Sequence, residues 1–348
     1  MGSVVNAPIV LGPNQPAHFY RGGAGIARLR GIPQPSASSP EDWVGSATEM
    51  FSRPGAGLSR LDSGETLRDA IAADPAGFLG PDHVARYGAD PALLVKILDT
   101  GQRLVAHFHP DRDFAARHLG SRHGKTEAWI ILETRQEGND PSAGHVYLGF
   151  KRDADPAVIR RWVDSQDTAA ILDSLNKVAV APGDTWLVPA GVPHAVGAGI
   201  TLVELQEPTD FSILLEWAGF AIDGPKEGHL GLGFDVALTA LDVSGWEERR
   251  LHALRASRPE AAERPGVTRL LPPRADTFFR AERVDVSAPV TFEPGYAILI
   301  VIAGDGQLTH PAGRLAVRQG SSILVPYDAG ATTLEGHLQA LRCQPPLP

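Results

Sequence analysis

Two stretches of the chain carry the same pattern: VAVAPGDTWLVP at Val178 to Pro189 and LAVRQGSSILVP at Leu315 to Pro326. They align at a shift of 137 positions, and six of the twelve aligned residues are identical. Each predicts a short strand, a tight turn at Gly183 or Gly320, and a second strand that ends at a proline. A unit repeated in this way indicates a duplicated β domain.

Segments with alternating apolar and polar residues surround both copies, as expected for half-buried strands. They cover 103–109, 127–134, 145–150, 178–180, 185–189 and 201–206 in the first half, and 277–286, 297–302, 314–317, 322–326 and 338–343 in the second. The chain is also rich in turn formers, with 37 Gly and 29 Pro in 348 residues. We therefore predict a mainly β protein with two jelly-roll (double-stranded β-helix) domains and helical insertions.

Helical periodicity lies outside these strands. Residues 63–73 open with a Ser-x-x-Thr cap, and 156–175 and 234–254 carry apolar residues at helical spacing. A segment rich in Arg, Glu and Pro follows and predicts the domain boundary. The predicted organisation is a first domain at 1–255 with insertions at about 152–176 and 228–255, a linker at 256–274, and a second domain at 275–348.

Composition excludes several classes of protein. The net charge is −9 and the basic residues are scattered, which argues against a nucleic-acid partner. The most apolar run, Ala297 to Ala303, is far shorter than the roughly 20 residues of a membrane span. The single cysteine, Cys343, cannot form an intrachain disulfide, and no export signal is recognisable, so we expect a cytoplasmic protein with a small-molecule ligand. The oligomeric state is not predicted.

Four residues of the first jelly roll are candidate metal ligands. His107 and His109 are two positions apart on a predicted strand and face the same side. Glu127 begins the next strand, and His194 follows the turn after Pro189, on a strand that can return beside the first. Imidazoles with one carboxylate suit Zn, Mn, Fe or Ni.

The second copy provides an internal comparison, because the shift of 137 positions places Ala331 where the first copy has His194. We therefore predict no metal site in the second jelly roll. His118 and His123 precede Glu127 and are competing ligands, but their Arg, Gly and Ser neighbours predict a solvated loop.

The same region resembles a known family. LLVKILD at Leu93 to Asp99, LVAHFHPD, GKTEAW, PGDTWLVPAGVPHAVG and ELQEPTDFSILLEW are similar, in order and spacing, to the type I mannose-6-phosphate isomerases of the cupin superfamily. The resemblance implies two cupin domains, a zinc ion, and isomerisation of mannose 6-phosphate to fructose 6-phosphate. It also implies that the ligands are His107, His109, Glu127 and His194, and that Lys125 is the active-site lysine.

The chain departs from the family at three positions. His107 stands where the family usually has Gln, which moves the ligand set toward the wider cupin pattern. Val105 follows Leu104 where the family has a Ser, and Ile213 and Leu214 occupy the place of an expected Arg. The cations nearest in sequence to replace that Arg are Lys125, Lys226 and His229, of which Lys226 and His229 are the candidate substrate-binding residues.

The predicted chemistry is proton transfer between C2 and C1 of an open-chain sugar through an enediol. A divalent ion polarises the sugar oxygens, and either a metal-bound water or Lys125 is the base. Three alternatives stay open: isomerisation of a non-phosphorylated aldose, an Fe or Mn oxygenase or decarboxylase, and a non-catalytic sugar sensor.

Overall fold

A computed structural model describes residues 5–51, 53–255 and 264–348. Its strands are β1 (Ile9–Val10), β2 (Glu41–Val44), β3 (Leu94–Thr100), β4 (His107–Phe108), β5 (Glu127–Thr134), β6 (His145–Phe150), β7 (Leu175–Ala179), β8 (Thr185–Val188), β9 (His194–Val196), β10 (Ile200–Gln206), β11 (Ile213–Leu214), β12 (Val267–Arg269), β13 (Arg280–Val286), β14 (Val290–Phe292), β15 (Ala297–His310), β16 (Gly313–Arg318), β17 (Ser322–Val325) and β18 (Thr332–Gln344). The predicted mainly β fold is confirmed.

The helices are short and lie between the strands. They are α1 (Ala24–Arg30), α2 (Leu67–Ala73), α3 (Pro75–Leu79), α4 (Pro81–Tyr87), α5 (Arg112–His118), α6 (Pro156–Ser165), α7 (Thr168–Ser174), α8 (Gly224–Glu227), α9 (Phe234–Ala237) and α10 (Glu248–His252), with 3-10 turns at Leu238–Ala240, Pro273–Thr277 and Tyr327–Ala329. Within the described residues the longest helix, α6, has ten residues, so none reaches the roughly 20 needed to cross a membrane.

The first jelly roll consists of two five-stranded sheets. One has the order β2-β3-β10-β5-β8 and the other β11-β4-β9-β6-β7. Strand β3 is buried on both faces. Val95 and Ile97 join a core shared with Ile298 and Leu341 of the second half, whereas Lys96 points the opposite way, into the first jelly roll.

The second half forms an eight-stranded sheet with the order β1-β17-β15-β18-β13-β12, to which β14 and β16 also pair. The predicted repeat is confirmed in the backbone: β8 begins at Thr185 and β17 at Ser322, which keeps the shift of 137 positions. The turns before them place Gly183 at φ +89° and Gly320 at φ +85°, a region that favours glycine. The two glycines are therefore required by the same turn.

Three predicted helix boundaries were wrong. The first helix begins at Leu67 rather than Ser63, because the Thr66 side chain accepts from the Asp69 amide and caps it there. The predicted helix 156–175 is two helices, α6 and α7, separated at Gln166, which adopts φ +52°. The predicted helix 234–254 breaks into α9, a 3-10 turn and α10.

The predicted linker also differs from the structure. Residues 256–263 lie outside the described residues. Residues 267–269 form β12, which pairs with β13, so the second sheet begins before residue 275. Near the N-terminus, β1 pairs with β17, which places that segment in the second sheet although the sequence assigned it to the first domain. The division at residue 255 itself stays a prediction.

Candidate metal centre

The first jelly roll brings four candidate ligands together between its two sheets. His107 on β4 lies directly opposite His194 on β9. His109 lies just beyond the end of β4, which is shorter than the predicted strand. Glu127 is the first residue of β5 in the facing sheet. All four side chains are buried.

The ligand atoms of these residues converge. The Nε2 atoms of His107 and His194 are 3.1 Å apart. Glu127 places Oε2 at 3.1 Å from Nε2 of His109 and Oε1 at 3.3 Å from Nε2 of His194. The three histidines form a group whose ligand atoms all lie within 4.8 Å of one another.

Hydrogen bonds fix which nitrogen of each imidazole faces the cluster. In each histidine Nδ1 is held by a backbone carbonyl, at 2.7 to 2.8 Å, and these carbonyls belong to Val105 for His107, Phe211 for His109 and Val192 for His194. A carbonyl only accepts, so Nδ1 carries the proton and Nε2 presents a lone pair to the cluster. Three lone pairs facing one another favour a bound cation.

The pKa shifts of the histidines and of Glu127 favour neutral imidazoles beside an ionised carboxylate. Burial, together with the nearby His194, holds the pKa of His107 well below its ordinary value, and burial lowers the pKa of His109 to about 3. Burial alone would raise the pKa of Glu127, but His109 and Lys125 hold it well below the usual range. The buried Oε2 of Glu127 has no hydrogen-bond partner among the described residues. Neutral imidazoles and a carboxylate with one unsatisfied oxygen fit a divalent metal ion.

Lys125 lies beside the candidate ligands. Its Nζ is 3.2 Å from Nε2 of His109 and 3.6 Å from Oε2 of Glu127. The residue is only 5% exposed, so it is not the solvated loop lysine that its sequence neighbours also allow. Its amide donates to the Pro110 carbonyl, which fixes the segment immediately before β5.

The cluster opens into a cavity of about 350 Å³, within the range of roughly 300–1,000 Å³ that is typical of small-molecule sites. His107, Lys125, Glu127 and His194 all line it. Its other polar lining residues are His18, Tyr20, Glu41, Arg53, Lys96, Glu204, Asp210, Ser212 and Glu227. A cavity that combines the cluster with many hydrogen-bonding groups suits a polar small molecule.

Comparisons with known proteins agree on one family. A family model described as mannose-6-phosphate isomerase, cupin domain, matches residues 273–345. Mannose-6-phosphate isomerase ManA of Bacillus subtilis is 27% identical over 251 residues, covering 72% of this chain and 73% of that protein. The mannose-6-phosphate isomerase of Streptococcus mutans is 26% identical over 254 residues, covering 72% of each. The chain is therefore similar to mannose-6-phosphate isomerases in sequence, at identities below 30%.

Solved structures of similar proteins extend the comparison over nearly the whole chain. The crystal structure of the mannose 6-phosphate isomerase from Bacillus subtilis superposes with a TM-score of 0.75 at 21% identity, covering 97% of this chain and 99% of that one. A mannose 6-phosphate isomerase solved with zinc and yttrium has a TM-score of 0.71 at 16% identity, covering 98% of this chain and 100% of that one. These likenesses establish the fold.

Sequence reasoning missed two buried charged residues of the cavity. Lys96 and Glu204 lie directly opposite each other on β3 and β10, and both line the cavity. Burial and the Glu127 carboxylate raise the pKa of Glu204 well above its ordinary value. The available signal was a charged residue with apolar neighbours on both sides, Lys96 in LLVKILD and Glu204 in ITLVELQ.

The predicted substrate-binding residues lie elsewhere. Lys226 is exposed on α8. His229 uses Nε2 to contact the Pro225 carbonyl at 2.9 Å and Nδ1 to accept from the Gly233 amide at 3.1 Å. Neither is among the residues that line the cavity, although their role in binding stays a prediction.

The competing histidines are also separate from the cluster. His118 is exposed on α5. His123 is buried, rather than solvated as predicted, because its Nε2 contacts Oδ2 of Asp90 at 2.8 Å. Leu214, one of the two residues where the resemblance predicts an arginine, lines the cavity, whereas Ile213 packs in an apolar cluster with Phe108 and Ala195. The structure therefore places apolar side chains at the two positions where the resemblance predicts an arginine.

Proposed function

We propose that this protein is a metal-dependent aldose-ketose isomerase that interconverts mannose 6-phosphate and fructose 6-phosphate. The observation that carries the proposal is the convergence of three Nε2 lone pairs and the Glu127 carboxylate beside Lys125 in a cavity of small-molecule size. The similarity to mannose-6-phosphate isomerases supports the same reaction. The four residues that would hold the metal are His107, His109, Glu127 and His194, and we propose zinc.

The reaction moves one proton from C2 to C1 and another between the oxygens on these carbons, with no net oxidation of the sugar. When bound, a divalent ion acts as a Lewis acid that stabilises negative charge on the sugar oxygens. Lys125 lies beside the cluster and can move a proton, with Nζ 3.2 Å from Nε2 of His109. We assign it the transfer between C2 and C1, a role that contributes typically 10²- to 10⁴-fold.

The other residues hold the reacting groups in place. The carbonyls of Val105, Val192 and Phe211 orient the three imidazoles. Trp129 donates its indole N–H to Oε1 of Glu127 at 2.9 Å and positions that carboxylate. Apolar residues around the cluster, among them Leu104, Val105 and Leu214, restrict water near the reacting carbons.

The experiment is metal analysis of the purified protein followed by a coupled assay with mannose 6-phosphate, with free mannose in parallel. We expect one divalent ion per chain and turnover of the phosphorylated sugar that chelation abolishes and added zinc restores. Bound metal without turnover of either sugar would contradict the proposal.

The assay also separates the alternatives. Turnover of free mannose alone would assign the protein to non-phosphorylated aldoses. Oxygen uptake with bound iron or manganese would assign it to the cupin oxygenases.

A further inference from the structure

We propose that Arg53 is the residue that binds the phosphate group of the substrate. This inference rests on the proposed function, because it concerns the phosphorylated end of the same substrate. It follows from accounting for every basic side chain that lines the cavity in the described part of the chain.

The two lysines of the cavity already have acidic partners. Lys96 lies 3.1 Å from Oε2 of Glu41 and 3.9 Å from Oδ1 of Asp210, and its ammonium group lies 4.2 Å from the centre of the Trp43 ring. Lys125 lies 3.6 Å from Oε2 of Glu127. Both are therefore neutralised within the protein and are poorly suited to a phosphate dianion.

His18 is the one histidine of the cavity lining, among the described residues, that is not a candidate metal ligand. It lies 3.4 Å from Oε2 of Glu41, and burial lowers its pKa. It is therefore a weak candidate for a fixed positive charge at neutral pH.

Arg53 differs from all of these. Its guanidinium donates to the Ala17 carbonyl at 2.8 Å and contacts Sδ of Met50 at 3.0 Å. No carboxylate of the described residues lies within 4.0 Å of its nitrogens. A guanidinium held by a neutral carbonyl and a thioether keeps its full charge and has N–H groups left for oxyanion contacts.

The position of Arg53 suits the distal end of a sugar phosphate. Arg53 is exposed and lines the cavity together with Phe19 and Phe51, whereas the metal cluster is buried. A sugar with C1 and C2 at the cluster therefore extends its other end toward solvent, where Arg53 lies. A guanidinium at that end explains how phosphate can be bound without the arginine that the resemblance predicts near Leu214.

The test compares Arg53→Gln and Arg53→Lys with wild type at equal metal content. Inorganic phosphate is titrated by calorimetry, and steady-state kinetics are measured with mannose 6-phosphate. Arg60→Gln is the matched control, since Arg60 is also exposed and donates to a carbonyl, that of Gly64 at 2.8 Å, but does not line the cavity.

We expect Arg53→Gln to weaken phosphate binding and raise KM for mannose 6-phosphate about tenfold or more, with kcat changed much less. Arg53→Lys should recover part of the loss, and Arg60→Gln should match wild type. Equal phosphate affinity in wild type and Arg53→Gln would overturn the inference.

The two proposals fail in different ways. Arg53-dependent phosphate binding without turnover would refute the isomerase and leave the anion site standing. Turnover of mannose 6-phosphate with an unchanged KM in Arg53→Gln would support the isomerase and refute the role of Arg53.

Discussion

The two jelly rolls share a strand register but carry different side chains at matching positions. In the first, Glu127 lies opposite Val188; in the second, Ala297 lies opposite Val325, which aligns with Val188 at the shift of 137 positions. The backbone pairing is therefore the same with the candidate metal-binding carboxylate of Glu127 or with the methyl group of Ala297. The fold accepts either residue, so the chemistry depends on the side chains and not on the strand frame.

A second pair of matching positions also differs between the two domains, here in the charges of the side chains. Lys96 pairs with Glu204 between β3 and β10, and Glu282 pairs with Arg342 between β13 and β18. The two strand pairs are equivalent in the two domains, but the order of the charges is reversed. In the first domain the pair lines the cavity of the metal cluster, whereas in the second Arg342 lies 2.9 Å from Glu282 and stacks on the Phe292 ring.

The largest expected effect comes from removing a metal ligand. His109→Ala and Glu127→Ala should each lose bound metal and reduce activity by more than about 100-fold. Loss of a residue that only hydrogen-bonds to a metal ligand typically costs roughly 10- to 100-fold, and loss of the ligand itself should cost more. His337→Ala and Glu335→Ala, both exposed on β18 of the second jelly roll, are the matched controls. Metal content and the coupled assay measure the result, and an equal loss in the β18 variants would remove the distinction between the domains.

Lys125→Met tests the proton-transfer step while the candidate metal ligands stay in place. Activity should fall about 10²- to 10⁴-fold, as for loss of a proton-transfer group, while metal content stays at the wild-type level. Lys177→Met is the control, because Lys177 is exposed and donates to the Pro141 carbonyl at 2.6 Å. Unchanged turnover with intact metal would exclude Lys125 from the reaction.

The matched charge pairs allow a comparison of stability. Lys96→Met leaves the buried Glu41 without its cation and should cost about 3 kcal/mol of unfolding free energy, along with activity. Arg342→Met breaks a less buried pair and should cost about 1–2 kcal/mol with activity retained. Urea unfolding and the coupled assay measure both. Loss of activity in Arg342→Met would show that the second jelly roll supports the site directly.

The smallest expected effect concerns Asp90, which ties the segment before β3 to the loop before β5. Burial would raise the pKa of Asp90, but the hydrogen bond and charge of His123, followed by Arg122, lower it to about 2. The unfolded value is about 3.9, so the stabilisation is complete above that pH and is lost as the pH falls toward 2.

Asp90→Asn should therefore be less stable than wild type by about 2 kcal/mol at neutral pH, with the difference vanishing near pH 2. Asp62→Asn, at an exposed position, is the control. Thermal unfolding between pH 2 and pH 7 measures the difference. A gap between Asp90→Asn and wild type that does not change with pH would assign the effect to packing instead of charge.

Local sequence patterns were enough to predict the repeat, the mainly β fold and the candidate ligands. Local signals carry this information, because alternation, turn glycines and the His-x-His spacing each depend on neighbouring residues. The strand bounds of β5 and β6 match the predicted segments for this reason. Helix ends were predicted less well, since the cap at Thr66 competes with an equally plausible cap at Ser63.

Residues far apart in the sequence come into contact through strand pairing and sheet packing, which local patterns do not predict. Lys96 and Glu204 are 108 positions apart, and only the pairing of β3 with β10 places them side by side in the cavity. The same holds for Arg53, which reaches the cavity through a loop without periodic signal, and for Lys226, which sequence proximity favoured but α8 leaves exposed. Sequence patterns report which face of an element is buried, whereas the closing of two sheets on each other determines which side chains share a site.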